Sequence, residues 1–218
     1  MKKNIEKILK KKDSLAENEV KDLLKAYGIP TTKYKVINKV EDLENLDLNF
    51  PVALKVCSSK ILHKTDVDGV RLNIQNIDDL KQEFKDFKRR FPSENLLVDQ
   101  MVEKGVEIII GLVQDPTFGL SIMFGIGGIF TELYKDVTFR IVPIERYDAQ
   151  QMIEEIKGKK LLEGFRNLPA NKKLVVELLL KVSKIGKDLD NRIDQMDLNP
   201  VFVFRDNLCV VDAKLILK

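Results

Sequence analysis

Histidine occurs once in these 218 residues, at His63, and cysteine only twice, at Cys57 and Cys209. Two thiols, each inside an apolar strand-like run, exclude a disulfide scaffold and fit unbridged thiols in a reducing cytosol. A single histidine with no cysteine near it in sequence argues against a zinc site. Long apolar runs are missing too. The longest, 50–56 interrupted by Lys55 and 107–113, fall far short of the ~20 residues that a membrane span needs. No hydrophobic segment follows the basic start Met1-Lys2-Lys3-Asn4-Ile5, so a secretory signal is not expected. Internal repeats, low-complexity tracts and Gly/Ser linkers are absent, and neither sign of charge dominates: 37 Lys+Arg stand against 34 Asp+Glu, a net +3. The one basic cluster, Lys7, Lys10, Lys11 and Lys12 continuing Lys2 and Lys3, has no interleaved aromatics. It reads as a solvated terminus rather than a nucleic-acid contact. What remains is a cytoplasmic globular chain, 44% hydrophobic and 33% charged, long enough to bury a core in one large domain or two small lobes.

The patterning mixes both periods. Ser14-Leu15-Ala16-Glu17 reads as a capping box that opens a helix carrying Val20, Leu23, Leu24 and Tyr27, closed by Gly28 and Pro30. Strands are expected at 33–37 and 51–57 with a short helix at 40–46 between them, and a second amphipathic helix carries Ile77, Leu80, Phe84 and Phe87. Four strands follow at 96–102, 107–114, 120–124 and 137–144, then helices at 149–156 and 171–188, then a hairpin of 193–204 with 208–216. This predicts an α+β chain with helices on one face of antiparallel sheets. Its expected divisions are a basic tail over 1–13, an N-terminal lobe over 14–94 and a C-terminal lobe over 95–218, hinged at 92–95.

Five features could carry chemistry. Lys55 interrupts the apolar run Val52-Ala53-Leu54-Lys55-Val56, where an ammonium is expensive to desolvate unless a counter-charge meets it. The alternative is an edge-strand lysine that snorkels to water. In either case Lys55→Met is expected to keep the fold, because methionine matches the stem. The polar stretch Ile61-Leu62-His63-Lys64-Thr65-Asp66-Val67-Asp68-Gly69-Val70 holds the only imidazole, a group able to act as base, ligand or phosphoryl acceptor, or simply an incidental surface residue. Phe124-Gly125-Ile126-Gly127-Gly128-Ile129-Phe130-Thr131-Glu132 lets backbone approach a ligand or turn tightly, yet it is neither a dinucleotide fingerprint nor a P-loop. Asp197 and Asn199 alternate onto one strand face, and a hairpin loop with an even number of residues brings Asp212 to that face. Three oxygen donors there would suit Mg²⁺ with nucleotide phosphates; a solvated acidic sheet face is the plainer reading. Finally, Val98-Asp99-Gln100-Met101-Val102 followed by Glu107 could offer backbone amides to a purine and a carboxylate to a ribose, or be a hairpin and nothing more.

In this order the pieces resemble an ATP-grasp domain, and within that fold the β subunits of ADP-forming acetyl-CoA synthetases, relatives of the succinyl-CoA synthetase β subunit. The resemblance runs from about 14 to 217. It rests on Leu23-Leu24-Lys25-Ala26-Tyr27-Gly28-Ile29-Pro30, Ala53-Leu54-Lys55, His63-Lys64-Thr65-Asp66, Asp115-Pro116-Thr117-Phe118-Gly119, the glycine stretch from Phe124 to Phe130, Asp197-Leu198-Asn199-Pro200 and Val211-Asp212-Ala213. It implies two lobes of antiparallel sheet with ADP or ATP between them. It further implies Lys55 and Lys64 on the phosphates, with Gly69 and Val70 in the loop above, and Gln100, Met101 and Val102 backbone on adenine. Glu107 would hold the ribose, and Asp197, Asn199 and Asp212 would hold Mg²⁺. Arg140 becomes a phosphate partner and His63 a transient phosphoryl carrier. The implied reaction is acyl-CoA + ADP + Pi ⇌ carboxylate + CoA + ATP, run with a separate CoA-binding α subunit in an α2β2 assembly, with no membrane partner. A stand-alone ligase using an acyl phosphate would need no such histidine; a nucleotide-sensing subunit would be a chain that has lost turnover. Two positions depart from the pattern: Asp68 replaces a glycine before Gly69-Val70, and Gly164-Phe165-Arg166-Asn167 stands where a Gly-Arg-Gly-like sequence is found. Asp68 puts a charge and a Cβ where that loop backbone is most pliable.

Overall fold

The computed structural model describes residues 6, 8–9, 13–44, 46–61, 63–128, 135–164, 170–189 and 191–218. The elements in chain order are β1 (Ser14–Leu15), α1 (Glu17–Ala26), β2 (Tyr34–Ile37), a 3-10 turn (Val40–Leu43), β3 (Val52–Cys57), β4 (Val70–Ile74), α2 (Ile77–Arg90) and β5 (Asn95–Gln100). Then follow β6 (Val106–Asp115), β7 (Gly119–Ile126), β8 (Val137–Ile141), α3 (Arg146–Glu155), a 3-10 segment (Lys157–Glu163), α4 (Lys172–Leu189), β9 (Ile193–Val203), β10 (Leu208–Val210) and β11 (Ala213–Leu217). The α+β class stands. Two compact units are formed, one by 15–19 with 32–103, the other by 1–14, 20–31 and 104–218. The chain therefore crosses between them at 103/104 rather than at 94/95, because β5 is ladder-bonded on both sides within the smaller sheet and cannot leave it.

The smaller unit is a four-stranded sheet in the order β2-β5-β3-β4. Strand alternation sends Val52, Leu54 and Val56 of β3 and Leu96 and Val98 of β5 to one face, where Leu80, Phe84 and Phe87 of α2 close the core. α2 is well begun: the Asn76 side chain accepts from the Asp78 and Asp79 amides, and Lys88, Arg89 and Arg90 sit at its negative C-terminal end. Strand β4 was missed although Val70, Leu72 and Ile74 alternate with Arg71 and Asn73; burial follows that alternation only in part, since Leu72 is 58% exposed. The capping box at Ser14 is also corrected. Ser14 lies in a strand, and the side chain that bonds back to the helix start does so two residues later, Glu19 Oε2 accepting from the Ala16 amide at 3.1 Å. Glu17 is thereby released for another role.

In the larger unit the strands run β11-β9-β6-β7-β8, with β10 continuing beside β9. One face, carrying Leu112, Ile122, Phe124, Met196 and Leu198, is covered by α3 and α4, whose stripe of Val175, Leu178, Leu179, Val182 and Ile185 is fully buried. Gly186 lets α4 approach closely, since a Cβ there would stand 3.1 Å from Leu120 and Val142. No helix among the described residues is long and apolar enough to cross a membrane.

Candidate functional site

In the smaller unit, β3 lies between β5 and β4, so Lys55 is on a central strand. It points away from α2, as does Asp99, and both are almost fully buried. The ammonium donates to Glu17 Oε1 and to Asp99 Oδ2, both at 2.8 Å. Thr32 Oγ1 donates to the second Asp99 oxygen, and Lys64 Nζ pairs with the second Glu17 oxygen. Two lysines and two carboxylates thus form a chain with no net charge: Lys64–Glu17–Lys55–Asp99, ended by a hydroxyl. Such burial is tolerable only when every charge is paired and hydrogen-bonded, which these contacts achieve. The snorkelling alternative for Lys55 is thereby overturned. Lys64, its side chain 13% exposed, is the end of the chain nearest to water. Beside it, the Cys57 thiol donates to Asn18 Oδ1 at 3.1 Å and is pushed up chiefly by burial.

His63 is exposed at the start of the turn that follows β3. That turn is closed by Gly69 N–H on the Lys64 carbonyl at 2.7 Å and Asp68 N–H on the Thr65 carbonyl at 3.1 Å. A Cβ at Gly69 would stand 3.0 Å from that Lys64 oxygen. Val70 is registered opposite Lys55, so Lys55, Lys64, Gly69 and Val70 do converge. At the end of β5, the Gln100 and Met101 amides are already bonded to the Lys33 and Pro51 carbonyls at 2.9 and 3.1 Å. A purine edge would therefore meet Val102 and carbonyl oxygens of this segment rather than the amides of Gln100 and Met101.

In the larger unit, Asn199 N–H donates to the Asp212 carbonyl at 3.1 Å, and Lys214 is registered opposite Asp197. The connection from β9 to β10 spans 204–207, closed by Phe204 N–H on Asn207 O. Its even length puts Asp197, Asn199 and Asp212 on one face, opposite the buried Leu198 and Ala213. Burial, and then the Asp212 charge, push the Asp197 carboxyl up, with Lys214 pulling the other way. Two carboxylates and one amide oxygen, with mutual repulsion between the acids, are a donor set that a hard divalent cation would relieve. Among the described residues no three His, Cys, Asp or Glu side chains converge, so Asn199 is needed to complete it.

Glu107 lies at the start of β6, where its carbonyl accepts from Gly127 N–H at 2.8 Å. A Cβ on Gly127 would fall 2.6 Å from Glu107 Cγ, and Gly128 has φ +66°, so the glycines make room for this carboxylate and for the turn. The remainder of that stretch, 129–132, lies outside the described residues, as do 165–167 and most of the basic terminus. Arg140 is not brought to the acids. It is registered with Ile122 on the helix-covered face, whereas the Asp197 row runs through Gly111, Met123 and Phe139. There it pairs with Glu155 of α3, which holds the guanidinium up and the Glu155 carboxyl down.

Glu17, Asp99 and Thr32 were missed as site residues. The usable signal was Asp99 itself, an acid in Leu96-Leu97-Val98-Asp99 that is as costly to bury as Lys55 one strand away.

A two-sheet α+β chain with this lysine–carboxylate cluster in one unit and an oxygen-donor sheet face in the other fits the ATP-grasp family. The ATP-grasp domain signature matches residues 7–217, and the chain belongs to that family. It is 44% identical over 229 residues to subunit beta of the ADP-forming acetate–CoA ligase II of Pyrococcus furiosus, covering 99% of this chain and 97% of the relative. A crystal structure of a Pyrococcus horikoshii protein superposes with a TM-score of 0.90 at 42% identity, covering 99% and 97% of the two chains. Acetyl-coenzyme A synthetase 1 of Candidatus Korarchaeum cryptofilum superposes with a TM-score of 0.81 at 38% identity, covering 94% and 93%. That protein was solved with coenzyme A and Mg-AMPPCP, its phosphohistidine segment pointing towards the nucleotide-binding site.

Proposed function

We propose that the chain is the nucleotide-binding β subunit of an ADP-forming acyl-CoA synthetase. It would work with a CoA-binding α subunit in an α2β2 complex in the cytoplasm. The end-to-end likeness to an acetate–CoA ligase β subunit carries this reading, and the buried cluster beside the His63 turn supports it. The reaction is acyl-CoA + ADP + Pi ⇌ carboxylate + CoA + ATP. A phosphohistidine of the partner presents its phosphoryl group, a His63 ring nitrogen attacks phosphorus in line, and the partner's P–N bond breaks. An ADP β-phosphate oxygen then attacks, returning His63 as neutral imidazole and leaving ATP. Phosphoryl transfer of this kind needs positioning and charge neutralisation more than covalent help. Lys64 supplies the positive charge that reaches phosphate, Lys55 stays as the fixed counter-charge of Glu17, and Gly69 and Val70 shape the loop. Val102 and the carbonyls of the segment around Gln100 and Met101 meet adenine, and Glu107 meets the ribose. Asp197, Asn199 and Asp212 would hold Mg²⁺, which when bound shields the phosphate oxygens. Arg140, committed to Glu155 on the covered face, has no phosphate role in this scheme.

The test is reconstitution with the partner subunit and an assay of ATP formed from acetyl-CoA, ADP and phosphate. Turnover that requires CoA-ester and phosphate, and that His63→Ala abolishes, is expected. ATP formation that survives His63→Ala at the wild-type rate would overturn the relay.

A further inference from the structure

The turn that carries His63 and Lys64 is anchored at both ends, and the second anchor is unusual. Asp68 has φ +50°, in the left-handed region where aspartate is one of the few side chains enriched. Arg90, the last residue of α2, reaches it there with two separate donors. Nη1 donates to Asp68 Oδ2 and Nη2 to the Asp68 carbonyl, both at 3.1 Å. Arg90 is itself fixed. Its Nε lies 3.2 Å from Asp86 Oδ2, and its guanidinium stacks 4.8 Å from the Phe87 ring centre and 5.2 Å from that of Phe91. Arg71, tied to Glu83 at 3.1 Å, approaches the same Asp68 carboxylate at 3.8 Å. At the other end of the turn Lys64 is tied to Glu17.

We propose that Arg90, acting through Asp68, is a positioning residue that sets the shape of the 63–69 turn and so aims His63 for phosphoryl transfer. Its role in transfer rests on the functional reading above. A surface ion pair alone would contribute little. What distinguishes this one is the planar fork, which takes a carboxylate and a backbone carbonyl of one residue at once and is stacked on two rings; an ammonium cannot reproduce that. A loop misplaced by about 1 Å slows a transfer step by as much as ~100-fold, so an anchor that adds little stability can still govern rate.

Three variants decide it. Arg90→Lys keeps the charge and loses the fork; Asp68→Gly keeps the left-handed backbone and its carbonyl but loses the carboxylate half of the anchor; Asp68→Asn keeps a side-chain acceptor. Hydrogen exchange of the 63–69 segment should quicken about tenfold in Arg90→Lys and Asp68→Gly and less in Asp68→Asn, with β3 exchange and the unfolding midpoint unchanged. In the reconstituted complex the transfer rate should fall by about tenfold, while KM for Mg·ADP moves less than about threefold. The double variant Arg90→Lys/Asp68→Gly should be no worse than the worse single one. Wild-type exchange in Arg90→Lys would reduce Arg90 to neutralising a charge and overturn the clamp. A loosened turn with an unchanged transfer rate would overturn the positioning role. If the wild-type complex itself never transfers phosphate, the functional reading fails, and the exchange measurements still decide the clamp.

Discussion

Replacing Lys55 by methionine isolates the energetics of the buried cluster. The stem is matched, so the packing loss is small. The charge balance is not matched: Glu17 and Asp99, each 2.8 Å from the lost ammonium, would both lose a buried counter-charge. Removing one partner of a buried pair costs about 3–5 kcal/mol. At roughly 2–4 °C per kcal/mol for a chain of this size, a Tm lower by about 10 °C is expected. The fold is still expected to form, as the sequence suggests, but at a cost set by the two carboxylates that the sequence did not reveal. Lys55→Met with Asp99→Asn restores balance. Asparagine still accepts from Thr32, Glu17 keeps Lys64, and at least half of the lost stability should return. Urea unfolding of wild type, single and double variants, fitted with a common m-value, measures this directly. A single variant within about 1 kcal/mol of wild type, or a double no better than the single, would refute an obligatory charge balance. Lys64 pairs with Glu17 and has the more exposed side chain of the two lysines. For Lys64→Met the loss should appear instead in Mg·ADP affinity, by about 1.5–3 kcal/mol or roughly 10- to 150-fold, read by calorimetric titration.

Three further outcomes follow. His63→Ala should abolish the acid-labile, base-stable label acquired from the partner while leaving Mg·ADP affinity within about tenfold, because the role is covalent transfer rather than binding. The raised Asp197 carboxyl binds its proton more tightly folded than unfolded, so without divalent cation stability falls as pH rises from the ordinary 3.8 through the raised folded value, and stays lower above it. Asp197→Asn should then unfold at higher urea than wild type at pH 7 and lose the stabilisation by Mg²⁺, which for wild type reaches about 2.7 kcal/mol at a hundred times Kd. A wild type that Mg²⁺ does not stabilise would remove the cation from this face. The Tyr27 phenol, which donates to Asp188 at 3.1 Å, is pushed up to about 12, chiefly by burial and then by that bond. Its contribution is complete below pH 10 and lost as pH rises towards 12, so Tyr27→Phe should be less stable than wild type at pH 8 and converge on it at alkaline pH.

The fold was legible where side chains obey a period. The apolar runs of β3, β5 and β6, buried on both faces, and the stripe of α4 are fixed by burial, and burial is what a sequence records. The shared face of Asp197, Asn199 and Asp212 was legible for a related reason: a four-residue hairpin loop and unbroken pairing made register a matter of counting from Asn199 to Asp212. What failed has a common cause. Glu17 was assigned to its own helix start because a local bond to Ser14 is the nearest available partner, yet the partner that won, Lys55, is 38 residues away and buried. Arg140 stands on the phosphate side only through the family resemblance, while strand parity puts it on the other face, where Glu155 waits 15 residues on. Sequence patterns report which face is apolar; they do not report which of several distant charges will be chosen as partner when one must be buried.

That choice bears on how the cluster would handle an anion. Because Glu17 bridges Lys55 and Lys64, neither ammonium stands as an uncompensated charge in a low-dielectric interior, where it would otherwise be driven to lose its proton. An incoming phosphate must therefore compete with Glu17 rather than fill an empty positive site. The two lysines are not equal in that competition. Lys55 is held on both sides, by Glu17 and by an Asp99 that is itself fixed by Thr32, so drawing it away would cost both carboxylates a buried bond. Lys64 has the more exposed side chain and belongs to the turn that carries His63. If it moved to a phosphate, Glu17 would keep Lys55 as its counter-charge. The arrangement makes Lys64 the transferable cation and Lys55 the fixed one, with Glu17 the residue that lets one leave without unbalancing the other.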